Sequence, residues 1–215
     1  MTRLVLASAS PARLATLRSA GLNPEVLVSG VDESVVTTRD PAALACELAA
    51  LKARAVAARV PDAVVVGCDS VLALDGSVHG KPADADEARS RWRAMRGRSG
   101  VLHTGHCVIT PDGRELVRGA ATTVHFAEVG DDEIEAYVAT GEPLQVAGAF
   151  TVDGLGGAFV TGIEGDHHNV VGISLPVLRT MLAEVGVSWV SLWRPEPSRD
   201  PSAASGAGSA TGSVG

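Results

Sequence analysis

The sequence predicts an α/β fold, a mixed twisted sheet flanked by helices, and three observations carry that prediction. A short apolar run, Leu4–Ala7, passes through Ser8-Ala9-Ser10-Pro11 into a stretch with apolar residues at Leu14, Leu17 and Ala20, the pattern of a strand turning into a capped helix. Residues 63–70 form a continuous apolar run that ends Gly-Cys-Asp-Ser, as in a strand covered on both faces. The middle of the chain sets turn signals between long extended stretches, so hairpins join the alternating strands and helices of the first half.

Ser10 is placed to cap the first helix. Pro11 suits its first position, where a missing N–H loses no bond, and Gly21 ends it in the left-handed region. Residues 25–28 read as a second strand, followed by Ser29-Gly30-Val31-Asp32-Glu33, a turn bearing two carboxylates. Asp40-Pro41 opens a second helix by the same cap chemistry. Leu44, Leu48, Leu51, Ala55 and Ala58 predict its buried face, with Lys52 beside it. Beyond residue 70 the chain stays extended through Leu74, turns at Asp75-Gly76 and returns with Val78. That hairpin brings Lys81, within Gly80-Lys81-Pro82, back toward the strand carrying Asp69.

Asp84 to Glu87 has the form of a capping box, and Ala88, Trp92 and Met95 are the core face of the helix it starts. Residues 101–109 and 116–129 are paired strands joined by Pro111-Asp112-Gly113. A short helix over 131–139 closes at Gly141. A loop-rich region then leads to a strand and turn over 158–165, a helix over 175–185 with Leu178, Leu182 and Val185 on one face, and a last strand over 188–193. His103 and His106, three apart on a strand, fall on opposite faces. Adjacent histidines diverge on either a helix or a strand, so Asp166-His167-His168-Asn169 reads as a loop with substrate or structural hydrogen bonds, and neither histidine pair predicts a metal centre.

Composition bounds the function. Of 215 residues, 46% are hydrophobic but only 3% aromatic, so aliphatic and alanine packing must dominate. One domain is expected over 1–194, and 195–215 reads as a disordered Pro/Ser/Gly/Ala-rich tail. A net charge of −7 argues against nucleic-acid binding. The apolar run at the N-terminus is too short for a signal peptide or membrane span. Three scattered cysteines without C-x-x-C spacing suggest reduced thiols in a cytoplasmic protein.

The polar residues at strand ends fall into two chemical groups. Ser8, Ser10, Arg13, Lys52 and Lys81 offer hydroxyls and cations, and a helix N-terminus adds free N–H groups suited to phosphate. Glu33 and Asp69 offer carboxylates that can hold Mg²⁺ or Mn²⁺ or activate water. Together they suit metal-assisted phosphate chemistry, and the absence of G-x-x-x-x-G-K-[ST] excludes a P-loop NTPase.

These motifs resemble those of the Maf family of nucleoside triphosphate pyrophosphatases. Ser8-Ala9-Ser10-Pro11-Ala12-Arg13 is similar to the family's opening signature. Val31-Asp32-Glu33, Leu51-Lys52-Ala53, Gly67-Cys68-Asp69-Ser70, Gly80-Lys81-Pro82, Ser99-Gly100-x-x-His103-x-Gly105 and Ile163-Glu164-Gly165 through Asn169-Val170-Val171-Gly172 look like its later motifs, in order. The resemblance implies a deep central cleft, a cytoplasmic homodimer and a divalent metal held by Glu33 and Asp69. It further implies hydrolysis of nucleoside triphosphates to monophosphates and pyrophosphate, as house-cleaning of the nucleotide pool with a link to division arrest. By position Arg13, Glu33, Lys52, Asp69 and Lys81 correspond to active-site residues, with Asp69 the proton acceptor.

Members specific for dTTP and UTP carry arginine, threonine and glutamine where this chain has Ala12, Ser70 and Asp153. Ser70 and Asp153 are therefore expected among the substrate contacts, with a base preference not strictly dTTP or UTP. Two other readings stand beside this one, an inosine-triphosphatase-like purine pyrophosphatase and a non-catalytic binding protein of cell division.

Overall fold

A computed structural model describes residues 2–193, and the expected tail over 195–215 lies outside them. The strands are β1 (Leu4–Ala7), β2 (Glu25–Val26), β3 (Val64–Leu74), β4 (Ser77–His79), β5 (Ser99–Ile109), β6 (Glu115–Phe126) and β7 (Val160–Glu164). The helices are α1 (Pro11–Ser19), α2 (Pro41–Ala57), α3 (Ala85–Met95), α4 (Asp131–Ala139), α5 (His167–Val171) and α6 (Leu175–Glu184). No described helix is long and apolar enough to cross a membrane.

The caps form where the sequence places them. Ser10 Oγ accepts from the Arg13 N–H at 3.3 Å, and Asp40 Oδ1 accepts from the Ala43 N–H at 2.8 Å. Asp75 and Gly76 both take positive φ, 50° and 76°, as a tight two-residue hairpin requires.

All strands join one mixed sheet in the order β2-β1-β3-β5-β6-β7, with β4 also on β3. β5 lies antiparallel along one whole edge of β3, from Val65↔Ile109 to Ala73↔Val101. The other edge is shared. β1 runs parallel beside residues 64–67, and β4 runs antiparallel beside residues 72–74. Between these two partners, residues 68–71 of β3 have no strand beside them among the described residues. This gap, at the carboxyl end of β1, is where an α/β sheet opens toward a ligand.

Helices cover both faces. Leu4, Leu6, Val64 and Val66 meet α1 and α6 on one face, while Val5, Ala7 and Val65 meet α2 on the other. Farther along, Leu72, Leu102, Val124 and Phe126 pack with α3 and α4. Five of the seven aromatics, Trp92, Phe126, Tyr137, Phe150 and Phe159, gather here. The Trp92 ring stands edge-on to Phe126, Tyr137 and Phe159 at 5.4–5.9 Å, and its Nε1 donates to the Ala149 carbonyl.

The structure corrects four expectations. The buried face of α2 is Ala45, Leu48, Ala49, Ala50, Ala53 and Val56, rotated from the predicted leucine stripe, and Leu44 and Leu51 are only partly buried. The cause lies across the interface. Gly67 on β3 and Gly105 on β5 carry no side chains, and a Cβ on either would overlap the backbone of α2 at Ala49 or Ala45. Alanines therefore suit this contact better than leucines. The strand over 25–28 shortens to Glu25–Val26. Residues 188–193 do not form a strand: Trp189–Leu192 is a 3-10 turn whose Trp189 and Leu192 pack on the α1/α6 core. The expected loop after Gly165 is helix α5, capped by Asp166, whose Oδ1 accepts from the His168 N–H.

Candidate active site

Alternation along β3 sends Asp69 to the α2 face and Ser70 to the α1 face, both within the gap. On the first side Lys52 projects from α2, where the rotation of that helix sets it beside the buried Ala53. Its Nζ lies 2.5 Å from Asp69 Oδ1 and 2.8 Å from Glu33 Oε1. Glu33 opens a 3-10 turn, Glu33–Val35, in the loop after β2, which Asp32 caps by accepting from the Ser34 N–H. The side chains of Lys52 and Asp69 are 12% and 13% exposed and that of Glu33 52% exposed, so the ammonium and its first partner are enclosed and the second faces the opening.

On the other side Arg13 reaches from α1 into the gap. Nη1 donates to Ser8 Oγ at 3.2 Å and to the Cys68 carbonyl at 3.0 Å; Nη2 donates to Ser70 Oγ at 2.9 Å; Nε donates to the Gly172 carbonyl at 2.7 Å. A guanidinium has five N–H donors, so Arg13 keeps one for a ligand. It also joins the end of β1, the unpaired edge of β3 and the end of α5. Ser10 completes the turn: its hydroxyl caps α1 and its N–H donates to Ser8 Oγ.

The structure thus assembles two groups from the predicted residues, Asp69–Lys52–Glu33 and Arg13–Ser8–Ser10–Ser70. Lys81 stands two residues beyond β4, exposed, where the chain leaves its pairing with Leu72 in the direction of Ser70. Asp153 is exposed in the bend between Phe150 and the 3-10 turn Leu155–Phe159, and among the described residues no hydrogen bond or ion pair joins it to either group.

Several supporting residues went unassigned. Thr104 Oγ1 bonds Ser70 Oγ at 2.9 Å, and Asn169 donates Nδ2 to Leu102 O and Thr122 Oγ1. Arg91, nearly buried, donates Nη1 to the Gly80 carbonyl at 2.6 Å and so fixes the residue before Lys81. Thr104 and Asn169 lie inside the quoted motifs, which was the available signal. Arg91 sits on a helix face between core residues, where nothing in the pattern marks it.

His103 and His106 face opposite ways as expected. His106 is fully buried, and its Nε2 accepts from the Ser174 N–H at 2.8 Å. Burial is the main cause that pushes its pKa down to about 4, so it is neutral at physiological pH. His167 and His168 overturn the expectation that they diverge. Side by side at the start of α5, their rings lie against each other, with centroids 3.7 Å apart and planes tilted by 38°.

The donor set of the Asp69 side fits a hard divalent cation. Two carboxylates already converge on one positive charge, the Lys52 ammonium. Oxygen ligands from one or two carboxylates, completed by phosphate and water, are what Mg²⁺ takes. A separate surface hollow of about 470 Å³, lined by Arg179, Val187 and Trp189 among others, holds none of these residues.

Fold and site together define an α/β protein with a polar, mixed-charge site at a break in strand pairing, equipped for a phosphorylated ligand. A family model described as Maf-like protein matches residues 3–185, and the chain belongs to that family. A protein of Streptomyces coelicolor named nucleoside triphosphate pyrophosphatase is 62% identical over 196 residues, spanning 90% of this chain and 95% of that one. A protein of the same name from Salinispora tropica is 58% identical over 205 residues, spanning 93% and 91%. A solved structure of a HAM1 protein from Coxiella burnetii aligns over 86% of this chain and 100% of that chain, with 19% identity and a TM-score of 0.49.

Proposed function

We propose that this chain hydrolyses nucleoside triphosphates between the α- and β-phosphates, releasing the monophosphate and pyrophosphate. The observation that carries this reading is the Lys52–Asp69 pair inside the β3 gap, an acid held beside a cation at the sheet's open edge. A carboxylate held beside a cation at that edge can accept the proton of a water, which hydrolysis requires. Asp69 accepts the proton of a water that attacks the α-phosphorus. A P–O bond forms to that water, and the bond to the bridging oxygen breaks as pyrophosphate leaves. Lys52 keeps the Asp69 carboxylate oriented, and Lys81 and the remaining donor of Arg13 hold the departing phosphates. Glu33 and Asp69 would hold Mg²⁺ or Mn²⁺, which would supply neutralisation of the polyphosphate charge.

The base is read on a broader basis than dTTP or UTP alone. Ser70 is occupied by Arg13 and Thr104, and Asp153 is an exposed acceptor in a loop, in place of an amide that both donates and accepts. Steady-state kinetics on dTTP, UTP, CTP, GTP and a methylated GTP should show turnover beyond the first two. A preference of about 100-fold for dTTP and UTP over the rest, roughly 2.7 kcal/mol, would contradict this. The three cysteines, all unpaired, support a reducing cytoplasmic setting. The family resemblance supports a homodimer, which light scattering reads directly.

A further inference from the structure

We propose that Asp166, His167 and His168 form a second metal site, separate from the Glu33/Asp69 carboxylates, for a borderline divalent ion of the Zn²⁺ type. One ligand atom from each of the three residues lies within 4.8 Å of the others. One carboxylate and two imidazoles suit Zn²⁺ or Co²⁺ better than Mg²⁺, whereas the oxygen-only pair at Asp69 suits the hard cation. In a tetrahedral site with bonds near 2.0–2.1 Å the ligands stand about 3.4 Å apart. His168 Nδ1 is already 3.5 Å from Asp166 Oδ1. His167 is exposed and its ring lies against that of His168, so a turn of that ring would close the set.

An unsatisfied atom on a member of the set points to a missing ligand. Asp166 Oδ1 accepts from the His168 N–H, but Asp166 Oδ2 is buried without a hydrogen-bond partner. Fully buried Asn169, one helical turn on, leaves its Oδ1 without a partner as well. Two of the four such atoms found among the described residues therefore fall in a segment of four residues. Buried acceptors without donors are rare and call for an ion or a water.

The frame around them is rigid. Thr122 Oγ1 donates to the Asp166 carbonyl, and Asn169 Nδ2 ties α5 to β5 and β6 through Leu102 and Thr122. A bound ion would clamp the first turn of α5, and the carbonyl of Gly172 at its far end holds Arg13.

The test uses the full chain without a histidine tag, in excess Mg²⁺, titrated with Co²⁺ and read by visible absorption and equilibrium dialysis. Wild type should take up one Co²⁺ per chain with a spectrum of nitrogen ligation, displaced by Zn²⁺. Loss of outer-sphere partners alone lowers metal affinity 10–100-fold, so His167→Gln and His168→Gln should each weaken it by about 100-fold. Asp69→Asn should bind as wild type. Circular dichroism of each variant reports folding, and exposed His167 gives the variant least disturbing to it. No Co²⁺ uptake by wild type, unchanged affinity in folded His167→Gln, or loss of the ion in Asp69→Asn would overturn the proposal.

Discussion

Lys52 shows how one side chain organises the chemistry. Enclosed between Asp69 and Glu33, it offsets the repulsion that two neighbouring carboxylates would otherwise feel. Lys52→Met should leave Asp69 enclosed without its cation. We expect a stability loss of about 1–3 kcal/mol in denaturant titration and a fall in kcat/KM of about 100-fold or more. Unchanged turnover in a folded Lys52→Met protein would remove the pair from the mechanism.

His106 supplies a pH dependence whose sign follows from its burial. Its pKa is about 4 when folded, against an ordinary value of 6.5. Above pH 6.5 it is neutral in both states and neutral to stability. Between about 6.5 and 4 the unfolded chain takes up a proton that the folded chain refuses, so stability falls as the pH falls. Below 4 the loss, on the order of 3 kcal/mol, is complete. Melting curves across this window should show the decline in wild type and a shallower one in His106→Gln.

At the scale of elements, the α2–sheet interface decides where Lys52 stands. Gly105→Ala would drive a methyl group into the Ala45 carbonyl and push α2 off the sheet. Overpacking of this kind costs about 1–3 kcal/mol. Because α2 carries Lys52, the variant should also lose activity beyond what its remaining folded fraction explains. A Gly105→Ala protein with wild-type melting and turnover would show that this close approach is not what sets the helix.

The same interface marks the limit of what the sequence discloses. The starts of α1 and α2 were legible, because Ser10-Pro11 and Asp40-Pro41 are local chemistry that acts within a few residues. Asp69 was legible because an acid ending a long apolar run is out of place unless it has a use. The face of α2 was not legible. Its leucines have the helical spacing, yet the partner surface rewards alanines, and that surface is assembled from glycines in two distant strands. Residues 188–193 failed for a related reason. Their short apolar stretch suggests a strand, but Trp189 and Leu192, three residues apart, face the α1/α6 core together when the backbone takes three residues per turn.

For the whole molecule, the gap in β3's edge matters more than any one residue. β1 ends at Ala7 and β4 begins its pairing at Leu72, and the residues between them meet helices from both faces. Asp69 and Ser70, opposed by alternation, therefore both lie on the unpaired stretch of this edge. The described chain closes with Trp193, whose Nε1 donates to the Ala20 carbonyl at the end of α1. A chain ending at Arg194 keeps that contact and loses only residues poor in apolar bulk. It should retain both melting temperature and activity; a large loss of either would show that the tail docks on the body.

The central claim is that Asp69 drives cleavage between the α- and β-phosphates. Phosphorus NMR of a nucleoside triphosphate with Mg²⁺, followed with wild type and with Asp69→Asn, tests it most directly. Wild type should yield monophosphate and pyrophosphate in equal amounts. Asp69→Asn, folded and still binding nucleotide, should be slower by about 100-fold or more. Release of orthophosphate and a diphosphate by wild type, or near-normal pyrophosphate formation by Asp69→Asn, would contradict it.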